Sequence, residues 1–73
     1  AASDVYKRQV AAEQLRHGAR RDLTVTFWND RVYIDFGWHH VEASMGSLEQ
    51  ALYAVLTITR DEPHEREIKV TVS

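Results

Sequence analysis

Two runs in which apolar and polar residues alternate set the pattern of this chain: Leu23 to Trp28, and Arg31 to Phe36, separated by Asn29-Asp30. A period of two predicts β-strands, and Asn-Asp tolerates the positive φ angles that tight hairpin turns require. A two-residue loop also fixes a register: Trp28 opposite Arg31, Phe27 opposite Val32, Val25 opposite Ile34 and Leu23 opposite Phe36. The last three pairs are apolar and share one face. The pairs between them, Thr26 with Tyr33 and Thr24 with Asp35, are polar or amphipathic and take the other face. Gly37 allows a second reversal, after which Val41, Ala43 and Met45 alternate with His40, Glu42 and Ser44 as a third strand.

The period then changes. Leu48, Ala51, Leu52, Val55 and Leu56 fall at i, i+3, i+4, i+7 and i+8, which predicts an amphipathic helix, and Ser47 with Gln50 three residues on reads as a capping box. The β-branched Thr57, Ile58 and Thr59 weaken its end, Pro63 forbids continuation, and Asp61 to Glu67 reads as a charged loop. Ile68, Val70 and Val72 alternate with Lys69 and Thr71 as a closing strand. Upstream, Val5, Tyr6, Val10, Ala11 and Leu15 form a helical stripe from about Asp4 to His17. Ser3 or Asp4 is the expected N-cap, and Gly18 the left-handed residue past the end. Arg16 and His17 sit in the last turn, where the helix dipole favours cations. The predicted fold is α+β: a helix, a three-stranded antiparallel meander, a helix and a closing strand, with both helices on one face of the sheet.

Length limits this to a single domain over residues 1–73, because a chain of 73 residues buries only roughly 60% of its unfolded surface. Folds this small lean on disulfides, metals or a partner subunit. The chain has no cysteine, so disulfides, thiolate zinc sites and thiol nucleophiles are excluded, which fits a reducing cytoplasm. Apolar residues make up 44% and charged residues 27%, the balance of a globular domain. No apolar run approaches the roughly 20 residues needed to span a bilayer. A formal charge of −2 gives no general attraction to nucleic acid or to anionic membranes.

Four histidines raise the question of metal or acid–base chemistry. His39 and His40 are adjacent on a strand and point to opposite faces, so they cannot chelate one ion together. His40 and Glu42 share a face, but two ligands fall short of the three or four that zinc takes, and Asp35 is the only obvious supplement. No metal and no cofactor is therefore expected, and His39, His40 and His64 read as solvated or structural groups able to confer pH sensitivity. Ser44 and Ser47 flank Gly46 without a nucleophile-elbow pattern, and the isolated glycines form no phosphate-cradling loop. No catalytic residues are expected.

The basic run Arg16, His17, Arg20 and Arg21, joined by Arg31, is the candidate nucleic-acid contact. The order helix, three strands, helix is similar to that of double-stranded-RNA-binding domains, although the second helix begins Ser-Leu-Glu-Gln where that family is lysine-rich. The aromatics point elsewhere. Helices on one side of a single sheet leave the other face wet, and the register puts Trp28 and Tyr33 there, with Trp38 joining them according to the turn at Gly37. Exposed tryptophan and tyrosine beside Arg31 have the composition of interface hot spots, the bland alternative being a Trp28–Arg31 cation–π pair.

Two resemblances add to this reading. Residues 3 to 9, SDVYKRQ, resemble the in-frame translation of the transposase end sequence that tagmentation attaches to DNA fragments before sequencing. That implies residues 1–9 are not native and that the native part starts near Val10; removing Lys7, Arg8 and Asp4 moves the charge from −2 to −3. The stretch Leu23 to Ile58, two tightly joined strands, a short third strand and then GSLEQALYAVLTI from Gly46, resembles the N-terminal domain of HicB-like antitoxins. A charged loop with a late β segment, here DEPHEREIKVTV from Asp61, often follows in that family. Where the family has a Pro-Gly-Cys-like segment between strands two and three, this chain reads FGWHHVE. Such domains bind a small RNA-cleaving toxin and self-associate, so the resemblance implies a protein-binding module.

The functional expectation is a small non-catalytic protein-interaction domain, antitoxin-like and cytoplasmic. It is expected to be a homo-oligomer through the exposed sheet face around Trp28, Tyr33, Trp38 and Arg31, with a protein partner and no membrane. The alternatives are a phage-type inhibitor of a host defence enzyme, or an RNA- or DNA-binding module using Arg16, Arg20, Arg21 and Arg31.

Overall fold

The structure is a computed structural model and describes residues 2–61 and 67–73. Strands β1 (Leu23–Trp28) and β2 (Arg31–Phe36) form the hairpin in the register their alternation predicts, from Thr24 opposite Asp35 to Trp28 opposite Arg31. Asn29 takes a φ of 54° in the first turn position, a left-handed backbone that its short polar side chain tolerates. Strand β3 (His39–Ser44) returns antiparallel along β2 after a second two-residue turn, Gly37-Trp38, in which Gly37 has φ +62°.

Strand β4 (Val70–Val72) lies parallel to β1, and the sheet order is β3-β2-β1-β4. Antiparallel pairing makes β3 run in the same direction as β1, so reaching β4 requires a crossover over the sheet; α2 (Leu48–Thr59) lies in it. Helix α1 (Ala2–Gly18) packs beside α2, and both cover the same face. The core beneath them comprises Ala11, Leu15, Ala19, Leu23, Val25, Val32, Ile34, Phe36, Met45, Leu48, Ala51, Leu52 and Val55. Each fully buried aliphatic here stabilises the fold by about 1.5–3 kcal/mol, and the set is small, as expected of so short a chain. The contribution of α1 to that core begins at Ala11. Earlier in the helix Val5, Tyr6 and Lys7 are exposed, and Arg8 lies over the Phe27 ring, 5.3 Å from its centroid.

Several helix-end expectations are corrected. Ser3 and Asp4 lie inside α1 rather than capping it. Gly18 is the last residue of α1 and is not left-handed; a Cβ there would come within 2.8 Å of Leu56, so its small size lets α1 and α2 approach. Ser47 does occupy the N-cap position of α2 but makes no side-chain capping bond. Its φ of −110° and ψ of 20° lie outside the extended region in which a cap hydroxyl reaches the N2 or N3 amide. A 3₁₀ turn over Met45–Ser47 precedes the helix instead, and the Leu48 N–H donates to the Met45 carbonyl. Met45 thus leaves β3 for this turn while staying buried. Helix α2 also continues through Thr57–Thr59, because Thr59 extends the buried stripe and tertiary packing outweighs its weak propensity. Pro63, His64 and the middle of the expected charged loop lie outside the described residues.

Candidate interaction face of the sheet

Alternation sends Leu23, Val25, Val32, Ile34, Phe36, Val41 and Ala43 beneath the helices and the intervening side chains to the opposite face. Among the described residues no element covers that face, which carries Thr24, Thr26 and Trp28 from β1, Arg31, Tyr33 and Asp35 from β2, and His40, Glu42 and Ser44 from β3.

Register decides which of these meet. Asp35 stands opposite His40 and Tyr33 opposite Glu42, so a polar chain crosses from β2 to β3. His40 Nδ1 lies 2.5 Å from Asp35 Oδ1, and its Nε2 lies 3.6 Å from Glu42 Oε2. The other oxygen of Glu42 accepts from Arg31 Nη2 at 2.6 Å. Tyr33 packs above this chain, its ring 6.2 Å from that of His40. The hydrogen bond to Asp35 is the main cause that raises the His40 pKa above its ordinary 6.5, partly offset by desolvation, and Glu42 contributes less. The hydrogen bond between Arg31 and Glu42 is likewise the main cause that holds Glu42 below the usual carboxylate value and raises Arg31.

Trp28 is 66% exposed at the hairpin end. It faces Arg31 across the ladder, and Tyr33 is its diagonal neighbour at roughly 7–8 Å. Trp28, Arg31 and Tyr33 therefore come together as expected. Arg31 engages Glu42 on β3, and the cation–π contact among the described residues is Arg8 over Phe27 rather than a Trp28–Arg31 pair. Trp38 does not join them. It lies in the turn at the other end of β2, 89% exposed, with its ring 6.2 Å from His39. Five residue steps of β2, roughly 17 Å of strand, separate the two ends.

The nucleic-acid candidates divide in the same way. Arg16 pairs with Glu13 at 2.9 Å near the end of α1, and Arg20 and Arg21 lie in the connection to β1. The Arg21 guanidinium packs against Gly37, a full strand length from Arg31. Arg31 and the other three thus form no single basic patch. Among the described residues, no group of three or more His, Asp or Glu is placed to hold a metal ion. No described helix is long and apolar enough to cross a membrane. On the helical side, a groove of about 810 Å³ between α1 and α2 is lined in part by Val10, Leu52, Leu56 and the exposed Tyr53.

The Asp35–His40 and Arg31–Glu42 links were only partly visible in sequence, which placed His40 and Glu42 on one face and named Asp35 as their supplement. Reading Gly37-Trp38 as a second two-residue turn would have supplied the rest, since closing it with Phe36 opposite His39 puts Asp35 opposite His40. Compared with known proteins, the chain matches no family model, no curated protein and no solved structure.

Proposed function

We propose that this chain is a small non-catalytic protein-interaction domain, antitoxin-like in binding a partner protein and in self-association. The observation that carries the reading is a sheet face left uncovered by any described element, on which Trp28, 66% exposed, stands with Tyr33 and Arg31. Tryptophan, tyrosine and arginine dominate binding energy at protein interfaces, because they combine large apolar area with directional polar tips. The resemblance of Leu23 to Ile58 to HicB-like antitoxins agrees with a protein partner, and a small RNA-cleaving toxin is the first class to test.

The experiment compares Trp28→Ser with Tyr33→Ser, and Tyr53→Ser in the helical groove, for binding to a panel of purified small nucleases and for oligomeric state by native mass spectrometry. Hot-spot residues cost about 2 kcal/mol or more when truncated, roughly thirtyfold in affinity. A loss of that size in the first two variants, with Tyr53→Ser unaffected, supports the sheet face. Unchanged binding and unchanged oligomeric state in Trp28→Ser and Tyr33→Ser would remove the basis for the proposal.

A further inference from the structure

Of the two sheet edges, β4 is three residues long and β3 is six. Natural edge strands of that length are commonly blunted by proline or lysine; β3, with the sequence HHVEAS, has neither. The direction of its free backbone groups follows from bonds elsewhere in the sheet. Leu23 and Phe27 donate their N–H groups to β4-side carbonyls, so the odd residues of β1 face β4 and the even ones face β2. Carried through the pairings, the even residues of β2 face β3. Met45 N–H donates to the Asp30 carbonyl, so the odd residues of β3 face β2. The N–H and C=O groups of His40, Glu42 and Ser44 therefore point outward along an edge that no described residue pairs.

We propose that two copies of this chain join edge to edge along β3, antiparallel about a two-fold axis at Val41, so that His40 of each copy lies opposite Glu42 of the other. This rests on the self-association in the reading above and gives it a geometry. A two-fold perpendicular to the sheet pairs residues of the same face, so the candidate centres are His40, Val41 and Glu42. Centring on Glu42 sets two carboxylates against each other, and centring on His40 sets two imidazoles together; like charges directly opposite destabilise a ladder. Centring on Val41 brings two opposite-charge pairs into register, lets His40 and Glu42 exchange backbone hydrogen bonds, and packs Val41 against its own copy on the core side.

The side chains are already poised for this pairing. His40 Nδ1 is held by Asp35, while Nε2 is 3.6 Å from its own Glu42 and beyond good hydrogen-bond range. Glu42 Oε1 is held by Arg31, and Oε2, 3.6 Å from its own His40, has room for a closer donor. Each copy thus offers one donor and one acceptor at the matching positions. Around His40 stand Asp35, Tyr33 and Arg31 from β2 and Glu42 from its own strand. Protonated His40 closes the pair, so association weakens as pH rises through its titration. The product is an eight-stranded sheet with two Trp28–Tyr33–Arg31 faces on one side.

The absence of native cysteine allows a direct test of register. At the two-fold the Cα atoms of a non-hydrogen-bonded pair lie about 4.5 Å apart, within disulfide range, so Val41→Cys should oxidise to a covalent dimer. In the same register Ala43→Cys lies roughly 13 Å from its copy and should stay monomeric under non-reducing electrophoresis. In sedimentation of the full chain below and above the His40 titration, Glu42→Gln, which keeps the shape and removes the charge facing His40 of the other copy, should weaken dimerisation roughly tenfold at the lower pH and flatten its pH dependence. A chain that remains monomeric, a cross-link through residue 43 instead of 41, or a Glu42→Gln dimer as strong and as pH-dependent as the parent's would overturn the proposal. If it is monomeric while partner binding still depends on Trp28, the docking face stands and the edge pairing falls. A dimer that needs Trp28 and Tyr33 but gives no Val41 cross-link is a face-to-face dimer, and self-association stands without the edge.

Discussion

Thr59 is 0% exposed in the last turn of α2, and its hydroxyl has no hydrogen-bond partner among the described residues. Thr59→Val is therefore expected to stabilise the protein. Threonine and valine share the β-branch and have nearly equal helix propensity, so the exchange replaces one hydroxyl by a methyl in the same shape. A buried polar group left unpaired costs about 1–3 kcal/mol. Relieving it, with the methyl taking the place of the hydroxyl at a fully buried position, should raise stability by about 1–2 kcal/mol. For a domain this size each 1 kcal/mol is worth roughly 4–8 °C in Tm. The assay is urea unfolding followed by far-UV circular dichroism, with Thr59→Ser as the complement. Serine keeps the hydroxyl and loses a methyl worth about 0.8 kcal/mol, so it should shift the midpoint the other way. A Thr59→Val protein of equal or lower stability with an unchanged denaturant slope would refute the reasoning, by showing that the hydroxyl is satisfied in the native chain.

Two further predictions test the turn and the network that shape the open face. Gly37→Ala forces a Cβ into φ +62° and sets it 2.9 Å from the Arg21 guanidinium. The backbone part alone should cost about 1–2 kcal/mol and should persist in an Arg21→Ala background, and a Gly37→Ala melt identical to the parent's would contradict it. Asp35→Asn should lower the His40 titration midpoint, read by NMR of the imidazole, because the bond to Asp35 is the largest cause raising it; an unmoved midpoint would mean that this bond is not made in solution. The sign for stability follows: with its folded pKa raised, His40 contributes fully below its ordinary 6.5 and loses that contribution as pH rises through the folded value, a slope that Asp35→Asn should flatten.

The hairpin was legible because turn chemistry and alternation agreed on one register at Asn29-Asp30, and a one-residue slip would have turned Val25, Val32 and Ile34 outward. The buried face of α2 was legible for the same reason, its spacing matching the helical period from Leu48 to Leu56. What escaped depended on contacts between elements. Gly18 reads as a helix terminator, yet it is small because Leu56 of α2 lies against it, and no local pattern encodes that approach. Ser47 and Gln50 satisfy a capping motif, but the chain enters α2 from β3 through a 3₁₀ turn that holds Ser47 outside the extended capping conformation. In the candidate site, the pairing of Trp28, Tyr33 and Arg31 followed from the first hairpin. The exclusion of Trp38 depended on the second, whose tightness a single glycine did not determine.

The charge of the open face depends on one titrating side chain. Asp35 and Glu42 carry two negative charges against Arg31, so protonation of His40 makes the cluster neutral and its loss leaves one negative charge on the face. Trp28 and Tyr33 offer their apolar area in either state. Contact area and charge matching are thus separable here: the rings supply affinity to any surface that fits them, while the cluster selects among surfaces by charge and at long range. For two identical faces or edges brought together, the deprotonated cluster adds repulsion and the protonated one removes it. A cationic partner is favoured in the opposite sense, gaining as pH rises. The direction of the pH response therefore separates self-association from binding to a basic protein on the same sheet, without knowing the partner in advance.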